Sequence, residues 1–334
     1  MTTADEHFST AVERAFLWLR QAPHTELPVR WGPIGCRLIV ADETLGRHYS
    51  SSFLPARGGD LAVSVAVLTS DNIELAEFTP LDPTKGRTYF SERCVVVWHP
   101  DPLPVLYILD RAANTGVVWL SGGRAPEWEL SRPACPLLHS FLNDTPWSAI
   151  HSAAAGQNGR LLLLAGKGRA GKSTAALACA RAGWDYAGDD FVCVDTQSGR
   201  VEPLYTSARL RADMAGAFTD MLHMSTGTSN DHGDVRHELR LTDYLTPDRW
   251  RGGDLAAILI PRRQGARLPE WVEATRGEAL QALYMQTALA MPGPPRIVGR
   301  KLSRLAGLAP AYFVDTGNDP TAIPGAFAEL LDRL

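Results

Sequence analysis

Hydrophobic residues are spaced in two ways along the first third of the chain. Near the N-terminus they recur at helical intervals, which predicts an amphipathic helix over residues 5–21. From Trp31 to Leu120 they instead form short apolar runs separated by turn residues, a pattern typical of β-strands. The predicted strands are Cys36–Ala41, Ile73–Phe78, Cys94–Trp98, Val105–Leu109 and Val117–Leu120.

These patterns predict two domains. Residues 1–125 are expected to form a smaller, mainly β domain, and its role, in substrate recruitment or in oligomerisation, stays open. Residues 126–146 are predicted to be a linker with a short helix. Residues 147–334 combine strand and helix patterns, so we expect the α/β fold class there and an α+β protein overall.

The second domain begins with the pattern of a strand, a glycine-rich turn and a helix. Arg160–Ala165 is a short apolar run, and good helix formers follow Ser173 as far as Gly183. The residues between these elements fit the phosphate-binding pattern G-x-x-x-x-G-K-[ST]. They are Gly166, Lys167, Gly168, Arg169, Ala170, Gly171, Lys172 and Ser173, and Thr174 follows them.

The residue types of this P-loop suit an anionic ligand. Its glycines allow positive φ angles and a close approach of backbone amides to phosphate oxygens. Lys172 adds a positive charge for the terminal phosphates, and the Ser173 hydroxyl suits Mg²⁺. A glycine turn that carries Lys-Ser by chance is the simpler alternative. The flanking strand and helix favour a nucleotide, so we expect ATP at residues 166–174 and Mg²⁺ beside it.

Two adjacent carboxylates follow the predicted helix after a short turn. Asp189 and Asp190 precede the apolar run Phe191–Val194, so the pair is expected on the strand next to the P-loop. Adjacent carboxylates repel each other unless a cation or a proton lies between them. One of them can bind Mg²⁺ while the other accepts the proton of an attacking hydroxyl.

This arrangement resembles the bacterial HPr kinase/phosphorylase family, whose fold is shared with the ATP-dependent phosphoenolpyruvate carboxykinases. The resemblance rests on His151 ahead of the P-loop, on the P-loop itself and on the segment Gly183–Asp190, which is GWDYAGDD. It covers this region well and the remainder of the chain weakly. It implies that residues 147–334 adopt the P-loop fold of the HPr kinase and phosphoenolpyruvate carboxykinase type.

The resemblance also implies roles for single residues. Asp189 would be the general base, and Lys172 would stabilise the transferred phosphoryl group. Ser173 and Asp190 would bind Mg²⁺, and His151 would lie beside the phosphates. The chain departs from the family in lacking a Ser inside the loop GKGRAGKS and a good copy of the E-I-R-G segment. Phosphoryl transfer is therefore implied, whereas HPr as the acceptor and the reverse reaction are not.

Basic residues further along the chain offer more contacts for phosphate. Arg236 opens a predicted strand, and Arg262 follows the buried strand Asp254–Ile260, at the end where α/β folds build their sites. Both are candidates for stabilising transferred phosphate, although ordinary exposed arginines fit equally well. For Arg209 the same two interpretations stay open, a contact with the nucleotide or an ordinary solvated arginine. Residues 225–234 are polar and lack periodicity, which predicts a surface loop that is either a lid or an ordinary loop.

Together these features predict an enzyme, an ATP- and Mg²⁺-dependent kinase that phosphorylates a hydroxyl group. Relatives of this kind indicate a serine of a peptide or protein as acceptor, including precursor peptides of natural products. A kinase of a small hydroxylated metabolite or sugar is one alternative. A regulatory protein that binds ATP without turnover is another, and the acid pair argues against it because binding alone does not need it.

Composition and charge narrow the possible partners and cellular location of the protein. The chain has 334 residues, 45% hydrophobic and 21% charged, with a net charge of −4, so we expect no nucleic-acid partner. No apolar run has the length of a membrane span, and the N-terminus lacks the features of a signal peptide. From the missing apolar run we expect no membrane partner, and five scattered cysteines predict reduced thiols and hence a cytoplasmic protein. A homo-oligomer is compatible with all of this.

Overall fold

The computed structural model describes residues 3–56, 61–78, 87–100, 103–231, 233–262, 264–290 and 294–334. The chain divides into two compact units, Met1–Asp144 and Thr145–Leu334. Both units combine helices with β-sheets, so the protein is of the mixed α/β kind that the sequence predicts. Within the described ranges, no helix has the length and apolar character needed to cross a membrane. All five cysteines are free thiols.

A mixed β-sheet forms the centre of the first unit. The helices of this unit are α1 (Ala4–Leu19), α2 (Glu43–Ser52), α3 (Glu127–Ser131) and α4 (Cys135–Leu142). Its strands are β1 (Thr25–Trp31), β2 (Ile34–Val40), β3 (Leu61–Thr69), β4 (Arg87–Phe90), β5 (Cys94–His99), β6 (Val105–Asp110) and β7 (Thr115–Leu120). They pair in the order β1-β2-β3-β7-β6-β5-β4, and the pairs β2/β3 and β3/β7 are parallel.

Helices cover both faces of this sheet. Helix α1, which begins with a capping box between Thr3 and Glu6, packs its apolar face on the sheet residues around Ile108. Helix α4 lies on the opposite face, where Leu137 approaches Gly116. The first unit is therefore α/β, whereas the sequence predicts a mainly β domain, because short helices between strands leave little periodic signal.

Two further predictions for this part of the chain are wrong. Residues 73–78 contain a short 3₁₀ helix, Ala76–Phe78, in place of the predicted strand. The Oδ1 atom of Asn72 accepts hydrogen bonds from the amide and hydroxyl of Thr69 at 3.0 and 3.1 Å, which turns the chain away from the sheet. The short helix predicted within residues 126–146 is present as α4, but the segment also contains α3 and belongs almost entirely to the first unit, so it is not a linker.

The second unit contains a large sheet and a small one. Its helices are α5 (Lys172–Arg181), α6 (Arg276–Ala290), α7 (Pro295–Leu305) and α8 (Ile323–Arg333). Its strands are β8 (Trp147–Ile150), β9 (Ala153–Gln157), β10 (Arg160–Leu164), β11 (Asp185–Gly188), β12 (Val192–Asp195), β13 (Arg200–Glu202), β14 (Ser207–Arg211), β15 (Ser225–Asp231), β16 (Asp234–Arg240), β17 (Gly253–Arg262), β18 (Glu270–Ala274) and β19 (Ala311–Asp315).

The large sheet pairs in the order β11-β9-β10-β17-β13-β12-β8, with β19 joining β17 to β18. Strand β10 is parallel to β17, and β17 is parallel to β19. Leu161 and Leu163 of β10 pack with Leu283 of α6 and Leu302 of α7. Helix α5 packs against β9, β11 and α8. Strand β10 is buried along almost its whole length. The packing around it therefore fixes the position from which the P-loop leaves the sheet.

One two-stranded ribbon within this sheet is bent. Strands β9 and β11 pair antiparallel on one side of the bend, and β8 and β12 pair antiparallel on the other. Residues 151–152 connect β8 to β9, and residues 189–191 connect β11 to β12. The bend therefore places His151 on one strand opposite Asp189 and Asp190 on the other.

Strands β14, β16 and β15 form the small sheet in that order. It contains residues 225–234, for which the sequence predicts an irregular loop; they form most of the hairpin β15–β16, and His232 lies outside the described residues. The Ser229 hydroxyl donates to Glu238 Oε1 at 2.6 Å, and the Thr226 hydroxyl to the Glu238 carbonyl at 3.2 Å. These cross-strand bonds stabilise a polar hairpin whose sequence lacks apolar alternation.

Candidate functional site

The P-loop connects β10 to α5 through backbone of unusual conformation. Gly166 has φ of 140° and Gly171 has φ of 107°. The φ angle of Gly171 favours glycine, and a Cβ atom there would also make a tight contact, 3.3 Å, with Oγ1 of Thr316. Arg169 also has a positive φ, 66°, between these two glycines. The loop thus has the positive φ angles that its glycines predict.

No N-cap side chain covers the N-terminus of α5. The helix begins at Lys172, and its N-cap residue, Gly171, makes no side-chain hydrogen bond to the first turn. Amides in the first turn of a helix have no partner within the helix, and the helix dipole gives them a partial positive charge. A phosphate group is the ligand that such a terminus binds best.

The Lys172 side chain lies within the loop. It is buried, and its Nζ donates to the carbonyl oxygens of Gly166 at 2.8 Å and Lys167 at 3.1 Å. Burial lowers the pKa of Lys172, as does the charge of Arg236, while Asp189 and Asp190 act in the opposite direction. The ammonium group therefore lies within electrostatic range of the acid pair.

A tight turn directs the acid pair into this site. The amide of Phe191 donates to the carbonyl of Asp189 at 2.8 Å, and Asp190 between them has φ of 67°. Three-residue turns with a positive central φ are rare and strained, and such strain tends to occur at functional sites. The turn brings two consecutive carboxylates to the same side of the chain, where extended backbone would separate them.

Asp189 is the more buried of the two acids, at 2% exposure. Its Oδ2 accepts a hydrogen bond from the amide of Arg209 at 3.1 Å. Its Oδ1 is buried and has no hydrogen-bond partner among the described residues. Burial raises the pKa of Asp189, and the charge of Asp190 raises it further, while hydrogen bonds from Arg209 and Ser173 oppose the rise. A carboxylate oxygen without a partner here can accept a hydrogen bond or a proton.

Asp190 lies between two basic side chains. His151 Nε2 is 3.1 Å from its Oδ1, and Arg209 Nη1 is 3.4 Å from its Oδ2. The Nε of Arg209 is 3.1 Å from Oε1 of Glu238 on β16. Burial alone would lower the pKa of Arg209, but Asp190, Glu238 and Asp189 raise it above its ordinary value. Both carboxylate oxygens of Asp190 thus lie near a nitrogen of a neighbouring basic side chain.

Two neighbours fix the position of His151. Its backbone amide donates to Oγ1 of Thr287 on α6 at 3.1 Å. Its ring lies 4.8 Å from the ring of Phe191, measured between centroids. The residue sits at the bend of the ribbon, so its side chain reaches Asp190 from the opposite strand.

Neither a scan against protein-family models nor a search of curated proteins finds a match to this chain. The chemistry of the site is therefore deduced from its own geometry.

The structure brings most of the predicted site residues together. Lys172, Ser173 and Asp189 interact as described above, and Asp190 and His151 adjoin them. Arg236 of β16 is near enough for its charge to act on Lys172. Arg262 lies elsewhere: its guanidinium stacks over the Phe313 ring at 4.5 Å and lines a cavity beside Gly166–Ala170.

Three residues of the site are not predicted by any sequence pattern. Glu238 and Thr287 lie far along the chain from the P-loop, and only the pairing of β14 with β16 and the packing of α6 place them here. Phe191 is an ordinary apolar strand residue in the sequence. In the structure Glu238 pairs directly with Arg209, in a register that the polar sequences of β14 and β16 do not reveal.

The residues present fit a Mg²⁺ ion bound together with phosphate. Mg²⁺ prefers hard oxygen ligands and usually keeps waters and substrate phosphates in its coordination sphere. The Ser173 hydroxyl, which lies beside Asp189, is such a ligand. Asp190, the predicted ligand, would have to exchange a contact with His151 or Arg209. Within the described ranges, no cluster of three or more His, Cys, Asp or Glu side chains could hold a metal ion by itself.

Proposed function

We propose that the second unit is an ATP- and Mg²⁺-dependent phosphotransferase with an HPr kinase-like P-loop fold, and that its acceptor is the hydroxyl of a serine in a peptide or protein. The observation that carries this proposal is the buried Oδ1 of Asp189, which has no described partner and adjoins Lys172 and Ser173 of the P-loop. An anion-binding loop alone would not need a buried base beside it.

The reaction can be written with the residues of this site. The acceptor hydroxyl gives its proton to Asp189 while its oxygen forms a bond to the γ-phosphorus. The bond between the γ-phosphorus and the bridging oxygen of the β-phosphate breaks, and ADP leaves with that electron pair. Lys172 and Arg236 stabilise negative charge on the phosphoryl oxygens. His151 and Arg209 hold Asp190 in place beside the base.

Mg²⁺ would neutralise the phosphates when bound, through Ser173 and one carboxylate of the pair. The chain itself supplies the fixed geometry. Asp189 is oriented by the Arg209 amide, so the base needs no reorganisation when the acceptor arrives, and His151 orients Asp190 beside it.

The decisive experiment measures ADP and acceptor mass together. The full-length protein is incubated with ATP, Mg²⁺ and a pool of free serine, Ser- and Thr-ending peptides, HPr and common sugars. We expect acceptor-dependent ADP and a phosphorylated peptide. Lys172→Ala and Asp189→Asn should remove both products, while Arg160→Ala and Asp254→Asn, at exposed positions away from the site, should leave them unchanged.

The other outcomes have defined meanings. Phosphorylation of a sugar or of free serine, with no peptide modified, would replace the peptide acceptor by a small metabolite. Tight ATP binding without turnover on any acceptor would contradict the enzyme and favour a regulatory ATP-binding protein. Asp189→Asn with undiminished turnover would remove the assignment of the base.

A further inference from the structure

The hydroxyl of Tyr186 lies inside the second unit, close to the acid pair. Tyr186 belongs to β11, which ends just before Asp189, and its side chain is fully buried. Among the described residues the hydroxyl has no hydrogen-bond partner, and neither has Oδ1 of Asp189. Buried polar atoms in folded proteins nearly always have a partner, either from the protein or from an ordered water, so the two atoms call for a shared explanation.

The fold directs this side chain to one face of the large sheet. Tyr186 pairs with Ala155 of β9, and the next residue, Ala187, packs in the cluster that contains Leu283 of α6. Side chains alternate between the two faces of a strand, so the Tyr186 side chain lies on the opposite face. There its ring makes an edge contact with the ring of Trp250, with 5.4 Å between the centroids. The buried Trp250 therefore holds the tyrosine ring in place.

The charges of the acid pair act on Tyr186. Burial raises the pKa of Tyr186 well above its ordinary value, and the charges of Asp189 and Asp190 raise it further. The hydroxyl thus keeps its proton and is a donor toward a carboxylate. One water, which makes about three hydrogen bonds when buried, can join this donor to Oδ1 of Asp189. The Nε1 atom of Trp250, which is also buried without a partner in the part of the chain that the structure describes, is a further donor for it.

We propose that Tyr186 is a positioning residue for Asp189, and that its hydroxyl donates to Oδ1 of that carboxylate through one buried water. A carboxylate oxygen accepts two hydrogen bonds, so Oδ1 can hold the water and still receive the acceptor hydroxyl. The water fixes the direction of the carboxylate and favours the ionised form that a base needs. The inference rests on the proposed function for the role of Asp189 as a base, whereas the link between the two side chains can be measured without turnover.

The other charged groups around Asp189 stay in place when the hydroxyl is removed. They are Lys172 of α5, Asp190 of the same turn and Arg209 of β14, while Arg236 of β16 acts on Lys172. Tyr186→Phe keeps the ring that packs on Trp250, so it removes a single donor. Loss of a donor to the ionised form raises the pKa of Asp189. A packing role of Tyr186 would not change that pKa.

The test follows the titration of Asp189 directly by carbon NMR. The protein is labelled with ¹³C at its aspartate carboxyl groups, and the Asp189 signal is assigned by its loss in Asp189→Asn. We expect Tyr186→Phe to move the midpoint of this titration upward by about 0.5 to 1 pH unit, the effect of one lost hydrogen bond. Tyr244→Phe is the matched control, because it removes a tyrosine hydroxyl that donates to Asp220 of the same unit at 3.4 Å. It should leave the Asp189 midpoint unchanged.

Turnover supplies the second measurement. With ATP, Mg²⁺ and the peptides of the pool that become phosphorylated, the acidic limb of the kcat profile of Tyr186→Phe should move upward by the same amount. At pH values above the limb, where Asp189 is ionised in both proteins, kcat should change less than about twofold.

Each result bears on one of the two proposals. An Asp189 midpoint that Tyr186→Phe leaves unchanged or lowers, or that Tyr244→Phe raises equally, overturns the inference and leaves the kinase proposal intact. A midpoint raised by Tyr186→Phe alone, with no turnover on any acceptor, supports the link between the two side chains and contradicts the kinase. Unchanged signals of the other aspartates show that a variant is folded. If Tyr186→Phe does not fold, Tyr186→Met, which also lacks the hydroxyl, makes the same test.

Discussion

His151 Nε2 lies 3.1 Å from Oδ1 of Asp190, across the bend of a single two-stranded ribbon. The two residues are distant in sequence, but β9 pairs with β11 and β8 with β12, so the bend brings them opposite each other. The contact fixes a side chain that follows a strained backbone position, φ 67° at Asp190. His151 therefore positions Asp190 of the acid pair, and it can affect the site in this way without contacting phosphate.

Replacing His151 should slow turnover without loss of nucleotide. We expect His151→Ala to lower kcat on the order of 100-fold, because a displaced Asp190 disturbs the geometry around the base. The affinity for ATP should stay within about twofold, since Lys172 and the loop amides are untouched. Steady-state kinetics and calorimetry measure the two effects. His223→Ala, at an exposed histidine of the same unit, should behave as wild type. A large loss of ATP affinity would contradict the positioning role.

The pH dependence of turnover should reveal the coupling between the two acids. In the proposed reaction Asp189 must be ionised to accept a proton, so activity should rise as pH passes its pKa, which burial and Asp190 raise above the ordinary value. Asp190→Asn removes one negative neighbour and lowers the pKa of Asp189. The acidic limb of the kcat profile should therefore move to lower pH. A limb at the same pH in this variant would show that another group is the base.

Removing Arg209 should destabilise the second unit. Its side chain, 12% exposed, lies in a largely buried bridge with Asp190 and Glu238, which are 14% and 16% exposed, and its loss removes the guanidinium that both carboxylates contact. Breaking such a buried pair costs about 3 to 5 kcal/mol, so we expect a loss of this size for Arg209→Met in urea unfolding. Arg200→Met removes a half-exposed arginine that pairs with Glu202 and should cost less than about 1 kcal/mol. Equal losses in the two variants would contradict the buried bridge.

The contiguous parts of the site could be predicted from the sequence, and the assembled parts could not. The P-loop residues and the acid pair each form a short run whose chemistry depends on immediate neighbours. The Arg209–Glu238 contact depends on the register of β14 against β16, which polar strands do not reveal. The cavity needs Ile260, Met285 and Phe313 from three elements at once.

Some elements of the fold could likewise be predicted from the sequence, and others could not. Helix α1 and strands β2, β5, β6 and β7 form close to where the sequence predicts them, whereas the buried strand β3 is not predicted. Residues 225–234 have no apolar alternation, yet hydrogen bonds from Ser229 and Thr226 to Glu238 help to hold them in a hairpin. Ile73–Phe78 has the apolar content of a strand, but the turn closed by Asn72 directs it off the sheet. In both segments local hydrogen bonds determine the conformation, and these bonds cannot be predicted from amino-acid composition.

A buried acid should make the first unit less stable as pH rises. Glu129 is fully buried on α3, and its carboxylate accepts hydrogen bonds from the hydroxyls of Tyr49 and Tyr107 and from the amide of Ala134. Burial raises its pKa from 4.5 to about 7 despite these hydrogen bonds. The folded state thus binds the proton more tightly than the unfolded state. Its stabilising contribution is complete below pH 4.5 and is lost as pH rises to about 7.

Urea unfolding at pH 5 and pH 8 measures this loss. The shift corresponds to on the order of 3 kcal/mol between the two limits. Glu129→Gln cannot ionise, so this part of the pH dependence should disappear, whatever the variant's stability at one pH. Glu127→Gln, at an exposed position of the same helix, should keep the wild-type dependence. If Glu129→Gln retains it as well, the carboxyl does not control the pH response of this unit, and its two tyrosine hydrogen bonds are sufficient to keep it ionised.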